Sequence, residues 1–181
     1  LSIFNEVLAP ATISTDHPNF LSFIPAAPTE AATLFDLVVS ASSIYGGSWT
    51  EGAGAVFAEN QVLEFLASEA GLPKGAGGVF VQGGTLGNLS ALVVARDVAE
   101  AKHGRQNWAI ICSSEAHSSV KSVGKVMGVT VLSADASKTG SLTGAAAESA
   151  IQEAKKQGLI PFALVGTSGT TNFGIIDKLD E

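Results

Sequence analysis

Three short polar runs in this chain carry side chains that can do chemistry: Gln82-Gly83-Gly84-Thr85, Ser113-Ser114-Glu115-Ala116-His117-Ser118-Ser119 and Gly166-Thr167-Ser168-Gly169-Thr170-Thr171. In the first, Gly83 and Gly84 let the backbone approach an anion closely, and Thr85 adds a hydroxyl donor. The residues from Leu89 onward read as a helix. Its unpaired N–H groups and the positive end of its dipole face the turn, and the chemistry this suits is phosphate binding. A strand-Gly-Gly-helix turn also serves simply to close a βα unit, so both readings stand. The spacing Gly83, Gly84, Gly87 is neither a Walker A loop nor a dinucleotide fingerprint. In the second run, His117 is a general acid/base, an aromatic platform, or only a residue that opens a helix.

The elements that position these runs follow from periodicity. Residues 1–30 hold Pro10, Pro18, Pro25 and Pro28, which exclude a long regular helix there. Thr29-Glu30 caps a helix through Ser43, with Leu34, Leu37, Val38 and Ala41 at helical spacing. Tyr45-Gly46-Gly47-Ser48-Trp49 breaks it, and a second helix runs from about Gly54 to Ala70, stopped by Gly71-Leu72-Pro73. From Gly77 the pattern alternates. Strands are expected at 79–81, 108–112, 129–132 and 162–166, with helices at 87–102, 117–126 and 144–157. Such alternation is the signature of an α/β fold, a mostly parallel sheet covered by helices, with ligands at the carboxyl ends of the strands. All three polar runs follow an expected strand, which favours one shared site.

Composition narrows the classes. The 181 residues are 46% hydrophobic and 15% charged, which suits one domain with a buried sheet and excludes disorder and coiled coil. Ten basic against seventeen acidic residues give a net charge of −7 with no basic stripe, so no nucleic-acid partner is expected. The single cysteine, Cys112, forms no internal disulfide, and no Cys/His cluster suggests a metal. No run approaches the roughly 18 apolar residues of a membrane span, and no signal-peptide pattern opens the chain. A soluble, cytoplasmic protein without membrane contact is expected.

Taken in order, HPNF (17–20), FIPAAP (23–28), SW (48–49), GLP (71–73), QGGTLGNLSALVVARD (82–97), SSEAHSSVKSVGKVMG (113–128) and GTSGTTNFGIIDKL (166–179) resemble the group II pyridoxal-phosphate-dependent amino-acid decarboxylases. That family includes the aromatic L-amino-acid, glutamate and diaminobutyrate enzymes. AHSSV is its most specific piece here. The resemblance implies a type I pyridoxal-phosphate-dependent transferase fold, with the mostly parallel sheet of its large domain flanked by helices. It also implies pyridoxal 5′-phosphate as cofactor and decarboxylation of a small-molecule L-amino acid to the amine and CO2.

Residue by residue, the resemblance puts Gly84 and Thr85 on the cofactor phosphate. His117 would stack on the pyridine ring and face the reacting carbon, as the catalytic residue. Thr167 would lie beside the ring near its 3′ oxygen, and His17, Phe23, Ile24 and Pro25 would line the substrate mouth. Residues 1–50 are then an N-terminal loop and helix segment carrying that mouth and a dimer contact, and 51–181 the first part of the large cofactor-binding domain. A homodimer is expected. Two departures fall where substrates are distinguished: Gly52-Ala53-Gly54 with Val56-Phe57 stand where the family has Ser-Pro-Ala...Thr-Glu, and Ala26 stands where aromatic decarboxylases carry threonine.

In the family, an aspartate on a later strand pairs with the pyridine nitrogen and a lysine in a later His-Lys motif forms the Schiff base. Neither motif occurs in these residues. The chain opens on Leu1 and stops at Glu181 inside an element, so it is expected to be a segment of something longer and inactive by itself. The rival readings are another type I pyridoxal-phosphate lyase or aminotransferase and, for a chain complete as given, a non-catalytic domain that binds a phosphate ligand.

Overall fold

The computed structural model describes residues 1–23, 25–134 and 139–181. The chain forms two compact units, Leu1–Phe80 and Val81–Glu181.

In the first unit, a π-helical turn at Phe4–Leu8 precedes the proline-broken segment. Helix α1 spans Glu30–Ser42, and its N-terminus is capped by Thr29, whose Oγ1 accepts the Ala32 N–H at 3.1 Å. Ser43 stops it in the left-handed conformation, φ 46°. Helix α2 spans Ala53–Glu69 and ends through Gly71, φ 68°, where the Leu72 N–H reaches back to the Ala67 carbonyl at 2.9 Å. The strand expected at 79–81 is not formed. A strand exists only as a ladder, and the described residues give this stretch no partner. The Phe80 N–H goes instead to the Glu59 carboxylate at 2.8 Å.

The second unit is built on β1, Trp108–Ser113, all six residues of which are buried. Parallel neighbours β2, Thr130–Ala134, and β3, Ile160–Val165, flank it in the order β2-β1-β3. The near-continuous apolar run of β1 is what a strand covered on both faces requires. Its side chains divide by the pleat: Ile110 and Cys112 pack with Leu92 of α3 (Gly84–His103) and with Val120 and Val123 of α4 (Ser119–Met127). Ile111 lies with Ala134, Leu142 and Ala147, the last on α5 (Gly144–Lys156). Fully burying each isoleucine contributes about 1.5–3 kcal/mol, which makes β1 the anchor of the unit.

A bulge lies near the start of the β1–β3 pair. Ala109 pairs with Pro161 and Ile110 with Ala163, so Phe162 is the extra residue of a bulge, and its ring meets Trp108 edge-on at 6.0 Å. Thr143 caps α5 through Ala146 N–H at 3.2 Å. The α/β class, with parallel strands and helices on both faces, is as the alternation predicts, and it agrees with the type I pyridoxal-phosphate fold.

Candidate active site

The turn at Gly83 has φ 88°, a conformation that favours glycine, and α3 begins at Gly84 with no side chain capping it. The first intrahelical bond here runs from Gly87 N–H to the Gly83 carbonyl at 3.2 Å. The N–H groups of Gly84, Thr85 and Leu86 therefore have no acceptor within the helix. A Cβ added at Gly83 or Gly84 would meet nothing within 4 Å, so the space before this helix end is open. Thr85 is exposed there.

His117 sits in the turn that leaves the carboxyl end of β1. The helix expected from residue 117 begins two residues later, at Ser119, so His117 lies in the turn before it. The His117 Nδ1 accepts the Ser119 N–H at 3.2 Å, so the imidazole satisfies one of the donors that the first turn of α4 leaves without an intrahelical partner. The Ser119 hydroxyl lies 2.8 Å from the same Nδ1, and the Asn88 side-chain amide donates to that hydroxyl, also at 2.8 Å. Asn88 is one turn beyond Gly84 on α3. One hydrogen-bonded chain thus connects the histidine to the helix that presents the open N–H groups.

The third run folds back on itself. Ser168 bridges Ile176, the Thr170 N–H meets the Ile175 carbonyl at 2.9 Å, and Thr170 Oγ1 accepts the Ile175 N–H at 3.1 Å. Thr167 is held at its backbone, where its N–H donates to Asp177 Oδ2 at 2.7 Å and its carbonyl accepts the Asp177 N–H at 2.9 Å. A cleft of ≈ 360 Å³ is lined by His117, Glu115, Lys121, Thr171 and Asn172, among others. Thr167 does not line it. Thr171 and Asn172 are the residues that sequence reasoning passed over. Their signal lay in the same small polar run, but which threonine faces His117 depends on how the loop doubles back.

Of the expected mouth residues, His17 accepts the Asn19 N–H on Nδ1 at 3.1 Å, and Phe23, φ 26°, meets Phe20 edge-on at 5.1 Å. Pro25 lies in the same irregular stretch of the first unit, and Ile24 falls outside the described residues. Among the described residues no His/Cys/Asp/Glu group is arranged to hold a metal, and no helix is long and apolar enough to cross a membrane.

A parallel α/β unit with an open helix N-terminus, and an imidazole at the end of its central strand, is compatible with a pyridoxal-phosphate-binding domain of the type I class. The donors present fit that cofactor: free N–H groups and a hydroxyl for a phosphate, and a planar ring beside a polar cleft for a pyridine. Residues 3–181 match the pyridoxal-dependent decarboxylase conserved domain, and the chain belongs to that family. It is 31% identical to an aromatic-L-amino-acid decarboxylase of Bacillus atrophaeus over 99% of this chain and 37% of that protein. With a 4-hydroxyphenylacetaldehyde synthase of Rhodiola rosea it shares 30% identity, over 100% of this chain and 40% of the other. The crystal structure of the glutamate decarboxylase domain of diaminobutyrate-pyruvate transaminase and L-2,4-diaminobutyrate decarboxylase from Vibrio parahaemolyticus superposes with a TM-score of 0.87. Identity there is 31%, covering 98% of this chain and 42% of that one. The chain thus spans about two fifths of the length of these relatives. Pyridoxal phosphate is the cofactor of this fold.

Proposed function

We propose that the protein to which these residues belong decarboxylates an L-amino acid to the corresponding amine and CO2, with pyridoxal phosphate as cofactor. The observation that carries this reading is the joining, inside one folded unit, of the open N-terminus of α3 to His117 through Ser119. Bound pyridoxal phosphate supplies an electron sink for the pair left on Cα when CO2 departs.

The residues of this chain do the holding. The N–H groups of Gly84 and Thr85, with the Thr85 hydroxyl, bind the phosphate at the positive end of α3. His117 would stack on the pyridine ring, hold its plane and face the reacting carbon. Thr167, whose backbone Asp177 holds, would lie at the ring edge although it does not line the cleft with His117, and Thr171, which does line it, is a second candidate for that edge. His17, Phe23, Ile24 and Pro25 line the substrate mouth.

Residues 1–50 make the mouth and a dimer contact, and 51–181 the first part of the cofactor domain. Leu34 and Leu37 of α1 are each 67% exposed, which supports a homodimer that covers them. We place the protein in the cytoplasm, which the one cysteine of these residues, unpaired and buried, suits.

The test is to supply the full-length protein with pyridoxal phosphate and a panel of aromatic, acidic and basic L-amino acids, and to follow CO2 and products by mass spectrometry. Equal amounts of CO2 and amine are expected. A second reading rests on the Rhodiola rosea relative, whose name specifies an aldehyde product. An aldehyde in place of the amine would favour it. The absence of CO2 with every substrate would overturn both.

A further inference from the structure

The hydrogen-bond chain from Asn88 to His117 has one consistent set of proton positions. The Ser119 backbone N–H points at His117 Nδ1, so that nitrogen is an acceptor and, in the neutral ring, the proton is on Nε2. With Nδ1 an acceptor, the Ser119 hydroxyl 2.8 Å away must donate to it. That leaves Oγ only lone pairs for its other neighbour, so Asn88 must present its NH2 group, and Nδ2 lies 2.8 Å from Oγ. Ser119 is 3% exposed and Asn88 half-buried, which keeps the chain from exchanging freely with solvent. Nε2 has no partner among the described residues, and His117 lines the cleft shared with Lys121, Thr171 and Asn172.

We infer that Asn88 and Ser119 are positioning residues that lock His117 as its Nε2–H tautomer, so that the ring meets the cleft as a hydrogen-bond donor rather than an acceptor. The chain also ties the ring to α3 one turn from Gly84. The tilt of the imidazole and the place of the phosphate anchor are then set together. The tautomer part stands on geometry alone, whereas its effect on turnover rests on the decarboxylase reading above.

The experiment uses the full-length protein with histidine labelled with 15N, and the His117 signals are assigned by their loss in His117→Phe. In cofactor-free and cofactor-loaded protein, with the ring neutral, Nδ1 is expected in the pyridine-like range and Nε2 in the pyrrole-like range. Asn88→Asp, close in shape, replaces the donor with an acceptor and turns the Ser119 hydroxyl away from the ring. The proton should then move toward Nδ1. Ser119→Ala leaves one of the two bonds to Nδ1, and kcat should fall by up to about 100-fold with cofactor affinity and KM little changed, as expected of a misplaced catalytic group. A pyrrole-like Nδ1 in the wild-type protein would overturn the tautomer, an Asn88→Asp spectrum identical to wild type would overturn the part given to Asn88, and wild-type kcat in Ser119→Ala would overturn the effect on turnover. Should the wild-type protein release no CO2 from any amino acid while the tautomer shifts as described, the proposed reaction fails and the positioning of His117 by Asn88 stands.

Discussion

Asp177 fastens Thr167 to the body of the fold: its Oδ2 accepts the Thr167 N–H at 2.7 Å while its Oδ1 accepts that of Leu142, also at 2.7 Å. The carboxylate is 3% exposed and closes the loop after β3 onto the segment before α5. A buried N–H left without an acceptor costs about 1–3 kcal/mol, and Asp177→Ala abandons two. Urea denaturation of the full-length protein should show a loss of several kcal/mol for Asp177→Ala. Asp177→Asn should lose less, since one oxygen still accepts.

The phosphate role of Thr85 predicts an effect on affinity before turnover. A hydrogen bond to a charged group contributes about 1.5–3 kcal/mol, so Thr85→Val should raise the dissociation constant of pyridoxal phosphate about 10- to 100-fold. Turnover should recover as cofactor is added. Fluorescence titration of the cofactor-free protein gives the constant directly, and an unchanged value would remove Thr85 from the phosphate site.

For His117 the expected split is the reverse. His117→Phe keeps a ring to stack and should retain much of the cofactor affinity, while kcat falls about 10²- to 10⁴-fold, the range for loss of an acid/base group. Rescue by excess cofactor would reduce His117 to a residue that only holds the ring.

Gly124 tests the packing of α4 on the sheet. A Cβ there would collide with the Val131 side chain and stand 3.3 Å from the Val129 carbonyl. Overpacking of this kind costs about 1–3 kcal/mol, so Gly124→Ala should lower the urea midpoint even though alanine is the better helix former. The double variant with Val131→Ala should regain part of the loss.

Burial pushes the Cys112 thiol up, the Lys121 ammonium offsets part of that, and the Asp177 carboxylate adds to the upward direction. A thiol whose folded pKa lies above its unfolded one contributes stability that is fully present below the ordinary thiol range and lost as pH rises through the folded value. Stability should therefore fall in mildly alkaline buffer, and Cys112→Ala should flatten the fall. At neutral pH the folded protein should react with a thiol reagent only as fast as it opens, because Cys112 is 1% exposed.

What the sequence determined by itself is local or periodic. Thr29 and Thr143 cap their helices through bonds spanning three residues, Gly71 ends α2, and the apolar run at β1 requires cover on both faces. The family, too, was legible, because its motifs keep their order along the chain. Tertiary structure decided the rest. Asn88 and Ser119 are 31 residues apart and meet only because α3 and α4 pack on the same face of β1. That Thr171 rather than Thr167 shares a cleft with His117 follows from a loop folded back between Ser168 and Ile176. The apolar residues 79–81 read as a strand, but β structure is a relation between two segments, and propensity in one cannot supply the other. Short-range hydrogen bonds and periodicity are written residue by residue, whereas the partners in this site are chosen by packing across the sheet.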